Sequence, residues 1–348
     1  MVKRWIILGL TLASLCLSLV PAGAQTQPSY TELDVEFNSG EIKLSGTLTL
    51  PQPLERPTPV VLFIHGSGPT DRNESPLRLY NTLARQLAPR GIASLRYDKR
   101  GVGQSQGDFS KASFTDLVND AKAAVQFLRT LKEVDVSKIF PVGHSEGGYI
   151  VSVLAADGFA SGGIVSLAGP VHSLDYILLW QNEAILRATG ASEAAIQQQL
   201  DFVRAFINFV KQSQGEWDNY TLEQVQQLIP GLTAQAFASL RQSGALTWWR
   251  EHFTRNPAET LKKVKVPVLV IQGNKDLQVP WEEALLWVQE LHKANNADVQ
   301  VHLLADLNHI LRRDLNEPDL PSRYRFNDPP DPRIFLLVND WIQQIIQR

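Results

Sequence analysis

The chain has 348 residues, 44% of them apolar and 20% charged, which is enough to bury a large core and too apolar for a disordered polymer. Its formal net charge is −3 and no block of lysine and arginine interrupts it. That excludes the electrostatic footprint of a nucleic-acid binder or of a protein held on an anionic membrane. A single cysteine, Cys16, excludes a disulfide framework and a cysteine-based metal site.

The first 24 residues read apart from the rest. Lys3 and Arg4 precede the apolar run 5–20, and Pro21-Ala22-Gly23-Ala24 closes it with small residues, so a secretory signal with cleavage before Gln25 is expected. Leu15 rather than a small residue precedes Cys16, which argues against lipoprotein processing. Cleavage would leave 31 basic against 36 acidic side chains, a net charge of −5, and no thiol. Export to the periplasm or the medium is the expectation, with no stable membrane insertion once the segment is removed; an uncut N-terminal anchor is the alternative.

Residues 30–37 and 42–50 alternate apolar and polar around Asn38-Ser39-Gly40-Glu41, the pattern of an antiparallel hairpin. Four prolines between Pro51 and Pro59 mark a surface connection. Val60–Ile64 is continuous and β-branched, as in a strand covered on both faces, and runs straight into His65-Gly66-Ser67-Gly68-Pro69. A helix is predicted over 77–87, with Ser75 and Pro76 placed to start it and Pro89-Arg90-Gly91 to stop it. A strand over 92–97 follows, then Asp98-Lys99-Arg100-Gly101-Val102-Gly103. Ser113 and Asp116 have capping-box spacing before an amphipathic helix through Leu128.

Ile139–Gly148 reads I-F-P-V-G-H-S-E-G-G: an apolar strand, a tight turn carrying Ser145, and a helix over 149–156. Gly143 and Gly147 flank the serine where strand and helix backbones come too close for side chains, which lifts Ser145 to the edge of the sheet. A strand over 163–167 completes a β-α-β-α-β-α-β order, the signature of a mostly parallel sheet with helices on both faces. From 171 to 257 no strand is predicted. Ile196, Leu200, Val203, Ile207 and Val210 recur at helical spacing, and Thr221 and Gln224 offer another capping box, so this stretch reads as an inserted helical cap. Trp180, Trp217, Trp248, Trp249 and Trp281 lie in or beside it and are expected to pack that cap onto the core or to line a pocket. The expected domains are therefore a signal over 1–24, a core over 25–170 and 258–348, and a cap over 171–257. Strands over 266–271 and 299–304, a helix over 281–291, a long polar loop over 312–332 and a closing helix over 334–346 finish the chain.

A serine hydroxyl becomes a nucleophile only when an imidazole takes its proton, and the imidazole needs a carboxylate to fix its tautomer. Gln272-Gly273-Asn274-Lys275-Asp276 follows the penultimate strand and Asp306-Leu307-Asn308-His309 follows the last one. Ser145, Asp276 and His309 thus stand in the order expected for a strand-turn-helix serine on such a sheet. Asp306 is too close along its own loop to orient His309, and Asp175 reaches only if the cap folds inward. His144 lies on the wrong side of the turn to act as base, and His65 is expected to support the loop it begins. The oxyanion needs two donors: the N–H of Glu146 at the helix start and the N–H of Ser67 in the glycine-rich loop. Asp98 and Arg100 are expected to pair or cap turns beside that loop. Gly101-Val102-Gly103 lacks the spacing and Lys-Ser/Thr of a nucleotide loop, and the seven histidines show no metal-ligand spacing, so no cofactor and no metal is expected.

The chain resembles α/β-hydrolases, most closely bacterial esterases of the dienelactone-hydrolase-like and serine-aminopeptidase-like groups. The matching segments are H-G-S-G-P-T-D-R-N at 65–73, Y-D-K-R-G-V-G-Q-S at 97–105, G-H-S-E-G-G at 143–148, K-V-K-V-P-V-L-V-I-Q-G-N-K-D-L-Q-V at 263–279 and N-H at 308–309. The resemblance implies a capped α/β-hydrolase fold, Ser145 as nucleophile, Asp276 and His309 as acid and base, and oxyanion amides at Ser67 and Glu146. It implies a serine esterase acting on small, short-acyl esters without a cofactor. An aminopeptidase or amidase is the alternative, for which Glu183, Glu193 or Glu216 in the cap would have to hold the substrate ammonium. A thioesterase or an inert binding protein are weaker rivals.

Overall fold

The computed structural model describes residues 29–313 and 320–348, so the expected signal segment and part of the 312–332 loop lie outside the described residues. Eight strands form one sheet: β1 (Tyr30–Ser39), β2 (Ile42–Pro51), β3 (Thr58–Ile64), β4 (Ala93–Tyr97), β5 (Val134–His144), β6 (Ile164–Leu167), β7 (Val268–Gly273) and β8 (Val299–Leu304). Their spatial order is β1-β2-β4-β3-β5-β6-β7-β8, with β2 antiparallel to both neighbours and the pairs from β4 to β8 parallel. The hairpin is tighter than predicted: Ser39 pairs with Ile42, leaving Gly40, at φ +59°, and Glu41 as a two-residue turn.

Helices α1 (Leu79–Leu87), α2 (Phe114–Leu128) and α3 (Glu146–Ala156) precede an insertion after β6. That insertion holds α4 (Leu174–Ala188), α5 (Glu193–Gln212), α6 (Leu222–Leu228), α7 (Ala234–Ser243), α8 (Leu246–Thr254) and α9 (Pro257–Leu261), and α10 (Glu283–Lys293) and α11 (Pro332–Ile346) complete the chain. Both expected capping boxes form, at Ser113–Asp116 and Thr221–Gln224. Helix α1 starts two residues later than predicted. The preceding residues instead form a turn closed by Arg78 N–H to Glu74 O at 2.9 Å, with both residues at positive φ, and this turn buries the Glu74 side chain.

The central strands are apolar on both faces, and alternate residues enter separate cores. Val60, Leu62, Ile64, Val268 and Val270 join one core with α2, α3 and α10; Val61, Phe63, Leu269 and Ile271 join the other with α1 and α11. The insertion has a third core of its own, in which Val203, Phe206, Ile207 and Val210 of α5 surround Trp217 and Phe253. Its first residues are fixed to the main body by buried Glu283, whose carboxylate accepts from the amides of Val171 and His172 at 2.6 and 2.9 Å.

The order of strands decides where a site forms. From β3 the chain crosses to β4 on one side, and β5 onward extends the sheet on the other. The loops leaving the C-terminal ends of β3 and β5 therefore part and leave a crevice between them. Those two loops carry Ser67 and Ser145.

Candidate active site

Ser145 is a single residue between β5 and α3, at φ 55° and ψ −119°. L-residues are strained there, and the strain is held by packing. A Cβ on Gly143 would lie 2.1 Å from the Gly147 carbonyl oxygen, and one on Gly147 would lie 2.1 Å from the Ile64 oxygen of β3. Only hydrogens fit at either place, which is why the turn has glycine on both sides of its serine. The Ser145 N–H donates to Leu167 O of β6 at 2.9 Å, tying the turn to its other neighbour.

The loops after β7 and β8 are laced together by Lys275 N–H to Leu307 O and Asn274 N–H to Leu304 O, each at 3.0 Å. They bring the predicted acid and base together. Asp276, buried, accepts at Oδ1 from the amides of Gln278 and Val279 (2.7 and 2.9 Å) and at Oδ2 from Gln272 Nε2 (3.0 Å). Oδ2 also faces His309 Nδ1 at 2.8 Å, and His309 Nε2 lies 3.1 Å from Ser145 Oγ. A carboxylate accepts only, so Nδ1 carries the imidazole proton and Nε2 is left to accept the one from Ser145. Asp306 is engaged elsewhere, in ion pairs with Arg313 and Arg333.

His144 is buried beside the turn and engaged at both ring nitrogens. Its Nε2–H donates to the His309 carbonyl at 2.8 Å and its Nδ1 lies 3.3 Å from Glu74 Oε1. Burial disfavours its charge, but the Glu74 carboxylate and the His309 carbonyl outweigh burial and raise its pKa. His65 is wedged against the edges of Tyr80 and Tyr97, and burial together with the Lys99 charge pushes its imidazole down to about 3, a neutral ring.

Asp98 and Arg100 are not partners of one another. Asp98 Oδ2 accepts from both Nε and Nη2 of Arg72, at 3.1 and 2.7 Å, and the carboxylate also accepts the amides of Arg72 and Gln104, bracing the 65–73 loop against the 98–105 loop. Arg100 pairs with Asp116 and Asp120 of α2.

Lys99 has a place at this site that its loop motif did not reveal. It is 3% exposed and donates to Gly66 O at 2.6 Å, to Gly68 O at 3.0 Å and to Glu146 Oε2 at 3.3 Å. The other Glu146 oxygen accepts from Trp248 Nε1 at 2.7 Å and faces His252 Nε2 at 2.8 Å, both on α8 of the insertion. Burial alone would raise the Glu146 carboxyl; Lys99, His252 and Trp248 overcome it and hold it down to about 2. The one available signal was the pairing of K with E in two strand-end motifs, Y-D-K-R-G and G-H-S-E-G.

A cavity of about 590 Å³ opens over Ser145 and His309, within the roughly 300–1,000 Å³ range of small-molecule sites. Leu174, Ile177, Leu178, Trp248, Trp249 and Tyr324 give it an apolar lining. The expectation for the tryptophans holds in part: Trp217 packs the insertion, its Nε1 held by Gly244 O at 2.9 Å, and Trp248 and Trp249 line the cavity, whereas Trp281 is 37% exposed and does neither. The three cap glutamates are occupied. Glu183 and Glu193 both pair with Arg187, and Glu216 caps α8 through the amides of Leu246 and Thr247. Among the described residues no group of His, Cys, Asp and Glu is arranged to hold a metal, and no helix is long and apolar enough to cross a membrane.

Known proteins resemble this one over most of its length. The family model described as serine aminopeptidase, S33, matches residues 55–318. Esterase EstD of Thermotoga maritima is 28% identical over 316 residues, spanning 90% of this chain and 68% of that protein. Est1E from Butyrivibrio proteoclasticus, solved with ferulic acid bound, shares the fold at a TM-score of 0.59 and 18% identity, over 90% of this chain and 100% of that one. The Pyrococcus furiosus esterase Pf2001 does so at 0.54 and 15%, over 92% and 89%.

Proposed function

The chain belongs to the serine aminopeptidase S33 family of α/β-hydrolases, and from that premise we propose that it hydrolyses small carboxylic esters through Ser145, His309 and Asp276. It is a serine hydrolase of the esterase type. The observation that carries the residue assignment is the unbroken set of contacts from Asp276 Oδ2 through the His309 ring to Ser145 Oγ, at 2.8 and 3.1 Å.

In this reading His309 Nε2 takes the Ser145 proton as Oγ attacks the ester carbonyl. The oxyanion is met by the N–H groups of Ser67 and Glu146, the latter at the start of α3, where helix amides have no carbonyl of their own to bond. His309 then returns the proton to the departing alcohol, and water repeats the sequence on the acyl-enzyme. An apolar cavity suits an uncharged ester. An aminopeptidase would need a free carboxylate at the cavity wall. The two carboxylates that line it among the described residues are Glu74 and Glu146, both buried: Glu146 is engaged at both oxygens by Lys99, Trp248 and His252, whereas Glu74 meets His144 through Oε1 and leaves Oε2 without a partner. The reading for the ester therefore rests on the apolar lining and on the 1% exposure of Glu74.

Hydrolysis of p-nitrophenyl esters from acetyl to dodecanoyl, beside aminoacyl-p-nitroanilides and with Ser145→Ala as control, tests this. Ser145-dependent turnover of the shorter esters with anilides untouched is expected; anilide turnover at matching efficiency overturns the ester reading. Export is part of the same proposal, and N-terminal sequencing of protein recovered outside the cytoplasm is expected to begin at Gln25.

A further inference from the structure

A planar trans peptide holds its C=O and N–H pointing in opposite directions. The Gly66 carbonyl and the Ser67 N–H belong to one such unit, so whatever fixes the first aims the second. Lys99 Nζ fixes it, at 2.6 Å from Gly66 O, and holds the Gly68 carbonyl on the other side of Ser67 at 3.0 Å. Thr70 Oγ1 donates to the same Gly68 oxygen at 3.0 Å. The constraint matters because the 66–67 peptide turns about ψ of Gly66 and φ of Ser67, and Gly66, which has no Cβ, leaves the first of these torsions free. In the rotated form a carbonyl oxygen would face the oxyanion and repel it. Gly66 has little room for anything else: a Cβ there would lie 3.2 Å from Ser145 Cβ.

We propose that Lys99 is a positioning residue of the oxyanion hole, a buried ammonium that pins the Gly66–Ser67 peptide so that the Ser67 N–H faces the reacting carbonyl. This rests on the assignment of the Ser67 amide made above. Glu146 completes the device. Its carboxylate neutralises Lys99, its own N–H is the second donor, and its Oε1 receives Trp248 and His252 from α8. Both halves of the oxyanion hole and one helix of the cap therefore meet at a single buried ion pair.

The test is Lys99→Met, which keeps length and burial and removes the donor. Loss of one oxyanion donor lowers kcat by about 10²–10³-fold; a loop released to sample both orientations keeps part of that, so a fall of about 10- to 100-fold is expected. KM for a short p-nitrophenyl ester is expected to stay within about threefold, because the donor acts mainly on the transition state. Phenylboronic acid supplies a readout that a merely structural role would not move. Its boron accepts Ser145 Oγ, the serine proton passes to His309, and one boron hydroxyl of the tetrahedral anion occupies the oxyanion position. Its inhibition constant is expected to rise by the same factor as kcat falls.

Lys99→Met leaves Glu146 buried without its cation, so the double variant Lys99→Met/Glu146→Gln, with both charges gone, is measured beside it. Low kcat and weak boronate binding in the folded double variant uphold the proposal. Activity restored in the double variant, or boronate affinity unchanged while kcat falls, overturns it. Ser145→Ala separates the two readings: if it stays active the assignment of the site fails, whereas a dead Ser145→Ala beside an unimpaired Lys99→Met defeats the Lys99 proposal alone.

Discussion

Asp276→Asn is the most informative single change at this site, because the surroundings of Asp276 dictate how the asparagine must sit. Oδ1 receives two backbone amides, from Gln278 and Val279, at 2.7 and 2.9 Å. Only an oxygen can lie there, so the asparagine NH2 must take the place of Oδ2 and face His309 Nδ1. That nitrogen is then forced to accept, its proton moves to Nε2, and Nε2 can no longer take a proton from Ser145. Gln272 Nε2, which donates to Oδ2 at 3.0 Å, would then face a second donor and is left with the carbonyls of Gly273 and Val279 at 3.3 and 3.2 Å, so a loss of stability of about 1–3 kcal/mol accompanies the change. Fixing the wrong tautomer costs about 10⁴ in kcat, on the order of 5 kcal/mol of barrier. Asp276→Ala leaves the ring free to choose either tautomer. The milder replacement, asparagine, is therefore expected to be at least as damaging as alanine. Steady-state hydrolysis of p-nitrophenyl acetate by both variants, with 15N spectra of His309 to read which ring nitrogen is protonated, checks the argument. A folded Asp276→Asn enzyme with more than about a tenth of the native kcat refutes it, as does a clear advantage of asparagine over alanine.

Two further predictions concern the fold around the site. Gly147→Ala puts a Cβ 2.1 Å from the Ile64 oxygen and 2.8 Å from the His65 oxygen, both backbone atoms that cannot step aside. A loss of at least about 3 kcal/mol is expected, and a thermal midpoint within error of the native one would show that the strand and helix can part more easily than their packing implies. Glu146 has its carboxyl at about 2 when folded against an ordinary 4.5. A depressed carboxyl stabilises the fold fully above 4.5 and less and less as pH falls from 4.5 towards 2, by on the order of 3 kcal/mol in all. Urea midpoints at pH 5 and pH 3 are expected to fall further apart in the native protein than in Glu146→Gln; equal shifts would mean that the buried network is not what acid breaks.

The sheet, its two cores, the helical insertion and the serine turn were all legible in the sequence, because each depends on neighbours a few residues away. Alternation of apolar side chains makes Val60–Ile64 and Val268–Ile271 two-faced strands, and the reach of one turn makes Gly143 and Gly147 necessary around Ser145. Asp276 and His309 could be named because parallel strands end at one edge, so the residue just past a strand needs only its place in the chain to be put near that edge. Other features depended on distance through space. Glu183, Glu193 and Glu216 had the right charge for an ammonium, yet nearby arginine and helix amides already use them. Lys99 looked like a loop lysine, and it is a buried cation because Glu146, 47 residues away, and the Gly66 and Gly68 carbonyls converge on it. His252 and Trp248 lie more than 100 residues from the Glu146 carboxylate they reach. Local pattern determined which elements form and which residues stand at their ends. Which buried charges meet was decided by the packing of the cap and the loops together, since a charge leaves water only where partners from distant parts of the chain can replace it.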